Sequence, residues 1–226
     1  MSSKAVLVIV AVISWLATAA ITLTVLTVGP IGKSGEQGFR LVRVDEEAVS
    51  IDEPLPRYGA LPIFTLTDQM GRPFELNDLR GKVWVVDTIF TRCNAICPTL
   101  ASGMKQIQNA LKLDPSVYEQ VCLVSLSVDG EYDTPDVLKK FADAYGADHE
   151  HWRLLTGPRK VVWPLIQEGL KLPVEQGTPD DDMEILHSGK MLLIDRVGVI
   201  RGYYDGLTEA GRIELLVDLR RLVAEE

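Results

Sequence analysis

Histidine and cysteine are scarce in this chain, at three each among 226 residues. Cys93 and Cys97 lie together, and two thiolates are too few for a closed zinc site, which takes four ligands. Any metal site here must recruit a ligand from elsewhere. A basic cluster is also missing. Lys and Arg number 23 against 32 Asp and Glu, for a formal charge of -9. Phosphate binding needs a basic face, so no nucleic-acid partner is expected. Internal repeats and low-complexity tracts are absent too. What remains is a length that suits one domain with appendages. With 46% hydrophobic and 24% charged residues, the composition is that of a globular fold.

Charge is missing altogether from Ala5 to Val28, a run of 24 residues. A bilayer core takes about 20 apolar residues. The apolar region of a cleavable signal is only about 7–15 residues long. The Ala17-Thr18-Ala19 triplet imitates a cleavage site, but uncharged residues continue past it. No polar face interrupts the run, which argues against a core helix. Residues 1–28 are therefore expected to form an uncleaved transmembrane anchor. Lys4 precedes the run and Lys33, Arg40 and Arg43 follow it, so the positive-inside rule leaves the orientation open. Gly29, Pro30, Gly32, Gly35 and Gly38, followed by acidic residues, mark 29–58 as a flexible linker. Residues 59–226 are left for the folded domain.

Within that domain, Ile63–Leu66 and Pro73–Leu76 predict a hairpin turning at Gly71. Val83–Phe90 (VWVVDTIF) and Val121–Val128 (VCLVSLSV) read as strands buried on both faces. Asp87 breaks the first run and needs a partner if buried. Pro98 suits a helix start, and Leu100, Met104, Ile107 and Leu111 follow at helical spacing. Thr134-Pro135 opens a second helix and Gly146 closes it. A short strand is expected at Trp152–Leu155 and a helix at Pro158–Leu170, with Pro164 an obstacle. Pro173–Leu186 reads as irregular. A hairpin around Gly198 and a helix over Thr208–Ala224 complete an α/β sandwich with a mixed central sheet.

The cysteines lie in Phe90–Leu100, FTRCNAICPTL, between a buried strand and a helix start. Ligands of open α/β sheets gather at such strand ends. The helix dipole and the Arg92 charge are expected to favour the thiolate. A CxxxC pair admits a disulfide, a redox switch or half of a metal site. Cys122, within VCLVSLSV, reads as an inert core thiol. His149 and His151 stand in a polar turn, GADHEHW. His187 directly precedes the Lys190 strand and is the third-ligand candidate.

These residues resemble the SCO/SenC family of copper proteins. The resemblance spans Leu61 to Glu225 and rests on CxxxCP followed later by His-Ser before a strand. It also rests on the flanking stretches FTLTDQMGRPFELNDLRGKVWVVDTIF, SLSVDGEYDTPDVLKKFADAYGAD, WRLLTG and LHSGKMLLIDRVGVIRGYYDG. It implies a thioredoxin-like fold behind a single N-terminal transmembrane helix, residues 5–28 in the membrane. The N-terminus would be cytoplasmic and the domain extracytoplasmic, on the cell (inner) membrane. It implies copper, as Cu(I) or Cu(II), held by Cys93, Cys97 and His187, with Asp129 and Asp133 close to the site behind these ligands. The implied role is delivery to the dinuclear copper site of cytochrome c oxidase. The implied partners are the copper-bearing subunit of that oxidase or another copper chaperone. Soft thiolates select Cu(I), and imidazole suits copper in either state. Asn94 and Leu186 stand where the family often has a proline and an acidic residue. Alternative readings keep the same cysteines: Cys93 and Cys97 as the redox pair of a thiol–disulfide reductase, a peroxiredoxin-like peroxidase, or a redox or copper sensor.

Overall fold

The computed structural model describes residues 53–177 and 185–225. The expected transmembrane anchor therefore lies outside the described residues, as does Asp180-Asp181-Asp182. Among the described residues no helix is long and apolar enough to cross a membrane. In chain order the strands and helices are β1 (Gly59–Ala60), β2 (Thr65–Asp68), β3 (Pro73–Glu75), β4 (Val83–Ile89), α1 (Cys97–Lys112), α2 (Pro115–Tyr118), β5 (Val121–Ser127) and α3 (Pro135–Tyr145). They continue as β6 (Trp152–Thr156), α4 (Arg159–Pro164), β7 (Val174–Gln176), β8 (Ile185–His187), β9 (Lys190–Ile194), β10 (Val199–Asp205) and α5 (Glu209–Ala224).

The two unbroken apolar runs become β4 and β5, and all seven residues of each are buried. A strand covered on both faces has no use for polar alternation. The two pair in parallel, Val83 with Val121 through Ile89 with Ser127. Parallel pairing needs a crossover, which α1 supplies. The sheet order is β1-β10-β9-β4-β5-β6-β2-β3, parallel across β4, β5 and β6 and antiparallel at both margins. This is the expected mixed sheet. Helix α1 buries Leu100, Met104, Ile107 and Leu111 without exposure, each contributing about 1.5–3 kcal/mol. Thr134 caps α3 and Gly146 ends it in the left-handed region at φ 62°, as the sequence predicts.

Three segments differ from expectation. Pro173–Leu186 is not wholly irregular: β7 and β8 pair antiparallel, Val174 opposite His187. These strands are three residues each, too short for alternation to show. Pro164 does not break the helix it stands in; α4 passes into a π-helical turn, Leu165–Gly169. Residues 53–58, assigned to the linker by composition, lie against the fold. Leu55 is buried, and the buried Arg201 takes the carbonyls of Leu55 and Pro56. Arg201 also pairs with Asp195 at 3.3 Å and Glu225 at 3.1 Å.

Candidate metal centre

Strand β4 ends at Ile89, and the chain turns through 91–96 before α1 begins. The turn is held from within and below. Cys93 N–H donates to the Phe90 carbonyl at 3.2 Å, and Leu100 N–H to that of Ile96 at 3.0 Å. Asp133 accepts from the Thr91 amide at 3.1 Å, from the Thr91 hydroxyl, and from Ser127 Oγ at 2.6 Å. Arg92 reaches Asp129 Oδ2 at 2.6 Å and lies 4.5 Å over the Tyr132 ring. Both aspartates of SVDGEYD, Asp129 and Asp133, thus grip the two residues before Cys93, and their carboxylates bind Arg92 and Thr91.

The site itself joins two distant parts of the chain. Cys93 and Cys97 are free and buried, at 6% and 1% exposure. His187 arrives at the end of β8, its backbone fixed by Val174 of β7. Its Nε2 lies 3.1 Å from Cys97 Sγ. Its Nδ1 lies 3.1 Å from Thr88 Oγ1 and 3.2 Å from the Ser188 carbonyl. The Phe90 ring stands edge-on to the imidazole, with centroids 5.6 Å apart. The ligand atoms of Cys93, Cys97 and His187 all lie within 4.8 Å of one another. Three donors around an ion at about 2.3 Å stand roughly 4 Å apart, so a small adjustment seats a soft ion. Two sulfurs and one nitrogen suit such an ion, and the same two sulfurs suit reversible oxidation.

Electrostatics correct one expectation. The helix start does not make Cys97 a ready thiolate, because burial pushes its thiol well up, helped by the neighbouring Cys93 and Asp87. The Phe90 backbone eases that shift only in part. Arg92 is engaged by Asp129. Burial also holds His187 down to about 4, so the imidazole is neutral at pH 7 with a lone pair to offer. Asp87, fully buried in β4, is pushed up to about 7 by burial. Asp133 is raised by burial despite its hydroxyl and amide partners.

The other candidates fall where the sequence placed them. Cys122 is buried in β5, its thiol pushed up to about 12 by burial. His149 binds Asp143 and Gln69, and His151 stacks on Tyr118 at 4.0 Å. Among the described residues, Cys93, Cys97 and His187 are the one cluster with metal-ligand spacing. Thr88 escaped the sequence reading. Its signal was a second polar residue beside Asp87 in an otherwise apolar strand.

A thioredoxin-like sandwich with two thiols and an imidazole at the end of its central parallel strand belongs to a class of soft-metal and thiol-redox proteins. Within that class, the chain belongs to the SCO1/SenC family, whose model matches residues 53–224. It is 31% identical over 171 residues to the SCO1 protein homolog of Bacillus subtilis, covering 75% of this chain and 85% of that one. Among solved structures it is similar to BsSco, a Sco-family cytochrome c oxidase assembly protein in which a disulfide switch was identified. The identity is 29% and the TM-score 0.66, over 77% of this chain and 98% of that one. It shares its fold with Bradyrhizobium japonicum ScoI, solved with copper bound. There the identity is 23% and the TM-score 0.61, over 73% and 99% of the two chains.

Proposed function

We propose that this chain binds copper through Cys93, Cys97 and His187 and delivers it to the dinuclear copper site of cytochrome c oxidase. The observation that carries the reading is the convergence of the three ligand atoms within 4.8 Å. Relatives with copper bound, and with a role in oxidase assembly, support it. Copper is cargo here. Cys97 gives up its proton to bind the ion, and His187 offers Nε2 without a proton to lose. A three-donor site leaves the ion open to a ligand from the receiving protein, so copper can pass by exchange. The receiver is the oxidase's copper-bearing subunit or another copper chaperone. Asp133 and Asp129 act through Thr91 and Arg92, setting the position of Cys93. The charge-free run at residues 5–28 tethers the chain to the cell membrane, N-terminus in the cytoplasm. Residues 29–52 give the extracytoplasmic domain its reach, and residues 53–58 pack on the domain that 59–226 form.

Titration of the reduced chain with Cu(I) in the presence of a competing chelator tests this. One ion should bind per chain, and His187→Ala should weaken it. An absence of binding by the parent chain overturns the proposal. A second reading is favoured by the free, adjacent thiols and by the disulfide switch of BsSco. Cys93 and Cys97 then pass two electrons to a partner's disulfide. They close a disulfide of their own, and the partner takes up the two electrons and two protons. A dithiol potential above that of the oxidase subunit's cysteines excludes this direction.

A further inference from the structure

We infer that Thr88 is a positioning residue for His187: its hydroxyl aims the imidazole and keeps the ring proton on Nδ1, leaving the Nε2 lone pair to face Cys97. The inference rests on the metal-site reading above, but its geometry stands in the metal-free protein. The Ser188 carbonyl can only accept a hydrogen bond. Two groups point at it: Thr88 Oγ1 at 3.4 Å and His187 Nδ1 at 3.2 Å. Thr88 Oγ1 and His187 Nδ1 are themselves 3.1 Å apart. A hydroxyl has one proton. If Thr88 spends it on the Ser188 carbonyl, its lone pair faces Nδ1, and Nδ1 must carry the hydrogen. All three contacts are then satisfied together, the single Nδ1 hydrogen being shared between the Thr88 oxygen and the Ser188 carbonyl. With the hydrogen on Nε2 instead, the Nδ1 lone pair would face the Ser188 carbonyl lone pairs, and one contact would become a repulsion.

Ser188 alone cannot aim the ring, because it is the next residue on the same chain and moves with His187. Thr88 is different. It is fully buried in β4, a strand locked between β5 and β9. Its hydroxyl therefore ties the ring to the same strand that leads into Cys93. The imidazole arrives on a short two-stranded hairpin, and Thr88 is the side chain that references it to the sheet. Outer partners of a metal-binding imidazole fix its tautomer and direction, and their loss typically weakens binding about 10–100-fold. The bland alternative is that Thr88 only satisfies its own buried hydroxyl. That alternative predicts a stability loss on Thr88→Val and no change in the His187 ring.

The test uses the reduced, metal-free full chain in detergent micelles, with nitrogen-15 in the histidine rings. His187 signals are assigned by their loss in His187→Gln. Parent and Thr88→Ser should both show Nδ1 protonated and Nε2 bare. Thr88→Val, or Thr88→Ala if the valine variant does not fold, should show a second tautomer or exchange broadening at His187 alone. Cu(I) affinity by chelator competition should fall about 10–100-fold for the variant lacking the hydroxyl and stay close to the parent's for Thr88→Ser. A parent ring already protonated on Nε2 overturns the inference. So does a variant without the hydroxyl that keeps the parent's ring spectrum. If the parent binds no copper, the metal-site reading fails while the ring spectra still decide the role of Thr88.

Discussion

Replacing Asp87 by Asn should change how stability depends on pH. The Asp87 carboxyl is fully buried in β4, and neither oxygen meets a hydrogen-bond partner among the described residues. Burial pushes it from 3.8 up to about 7. Between those values the folded protein holds a proton that the unfolded chain releases. Stability from the neutral carboxyl is therefore full below pH 3.8 and declines as pH rises through about 7, then levels. The whole shift corresponds to about 4 kcal/mol, of which about 2.5 kcal/mol falls between pH 5 and 8. His187 acts in the opposite sense. Its folded value of about 4 lies below the ordinary 6.5, so its contribution is full above pH 6.5 and lost as pH falls towards 4. Between pH 5 and 8 that amounts to about 2 kcal/mol. The two oppose each other across this window. Asp87→Asn removes one of them. The stability of the variant relative to the parent should grow by about 2.5 kcal/mol from pH 5 to 8, because all other titrations are shared. Urea unfolding of the reduced, metal-free protein at four pH values, followed by tryptophan fluorescence, measures this. A difference that does not vary with pH means Asp87 is ionised in the fold and refutes the argument.

Other consequences follow from the same geometry. Asp133→Ala strips partners from Ser127, the Thr91 hydroxyl and the Thr91 amide; it should cost about 2–4 kcal/mol in urea unfolding, and a loss under 1 kcal/mol would show that the turn does not depend on this carboxylate. Arg201→Ala leaves the buried Asp195 without Arg201 and frees the Leu55 and Pro56 carbonyls. A cost of about 3–5 kcal/mol is expected, with cleavage before residue 59 becoming faster in limited proteolysis. Cys97 is protonated at pH 7 and His187 is not, so Cu(I) uptake should release at least one proton per ion. Calorimetry in buffers of different ionisation enthalpy reads this number, and zero would place a thiolate already at Cys97.

The sheet's centre was legible because β4 and β5 are covered on both faces, and nothing but an unbroken apolar run can occupy such a position. Capping chemistry made α3 legible, since Thr134, Pro135 and Gly146 act through local backbone geometry. The β7–β8 pair was not, because strands of three residues carry no period and are held by long-range pairing. The cysteine loop announced itself by spacing, and the family resemblance supplied His187. The ionisation of the site is not legible in the sequence. Helix dipole and a neighbouring arginine are local features that a sequence displays, whereas desolvation depends on what packs around the thiol from elsewhere in the chain.

The sequence by itself determined the central strands, the capped helices and the soft-ligand chemistry of the cysteine loop, because propensity, capping and ligand type belong to residues and their near neighbours. Tertiary structure alone decided that His187 Nε2 meets Cys97 at 3.1 Å. It also decided that Thr88, 99 positions away in the chain, holds the other ring nitrogen, and that burial keeps Cys97 protonated and His187 neutral. Those facts depend on which atoms surround a group after folding. Pairing β4 with β9 is what brings residue 88 and residue 187 to the same end of the sheet.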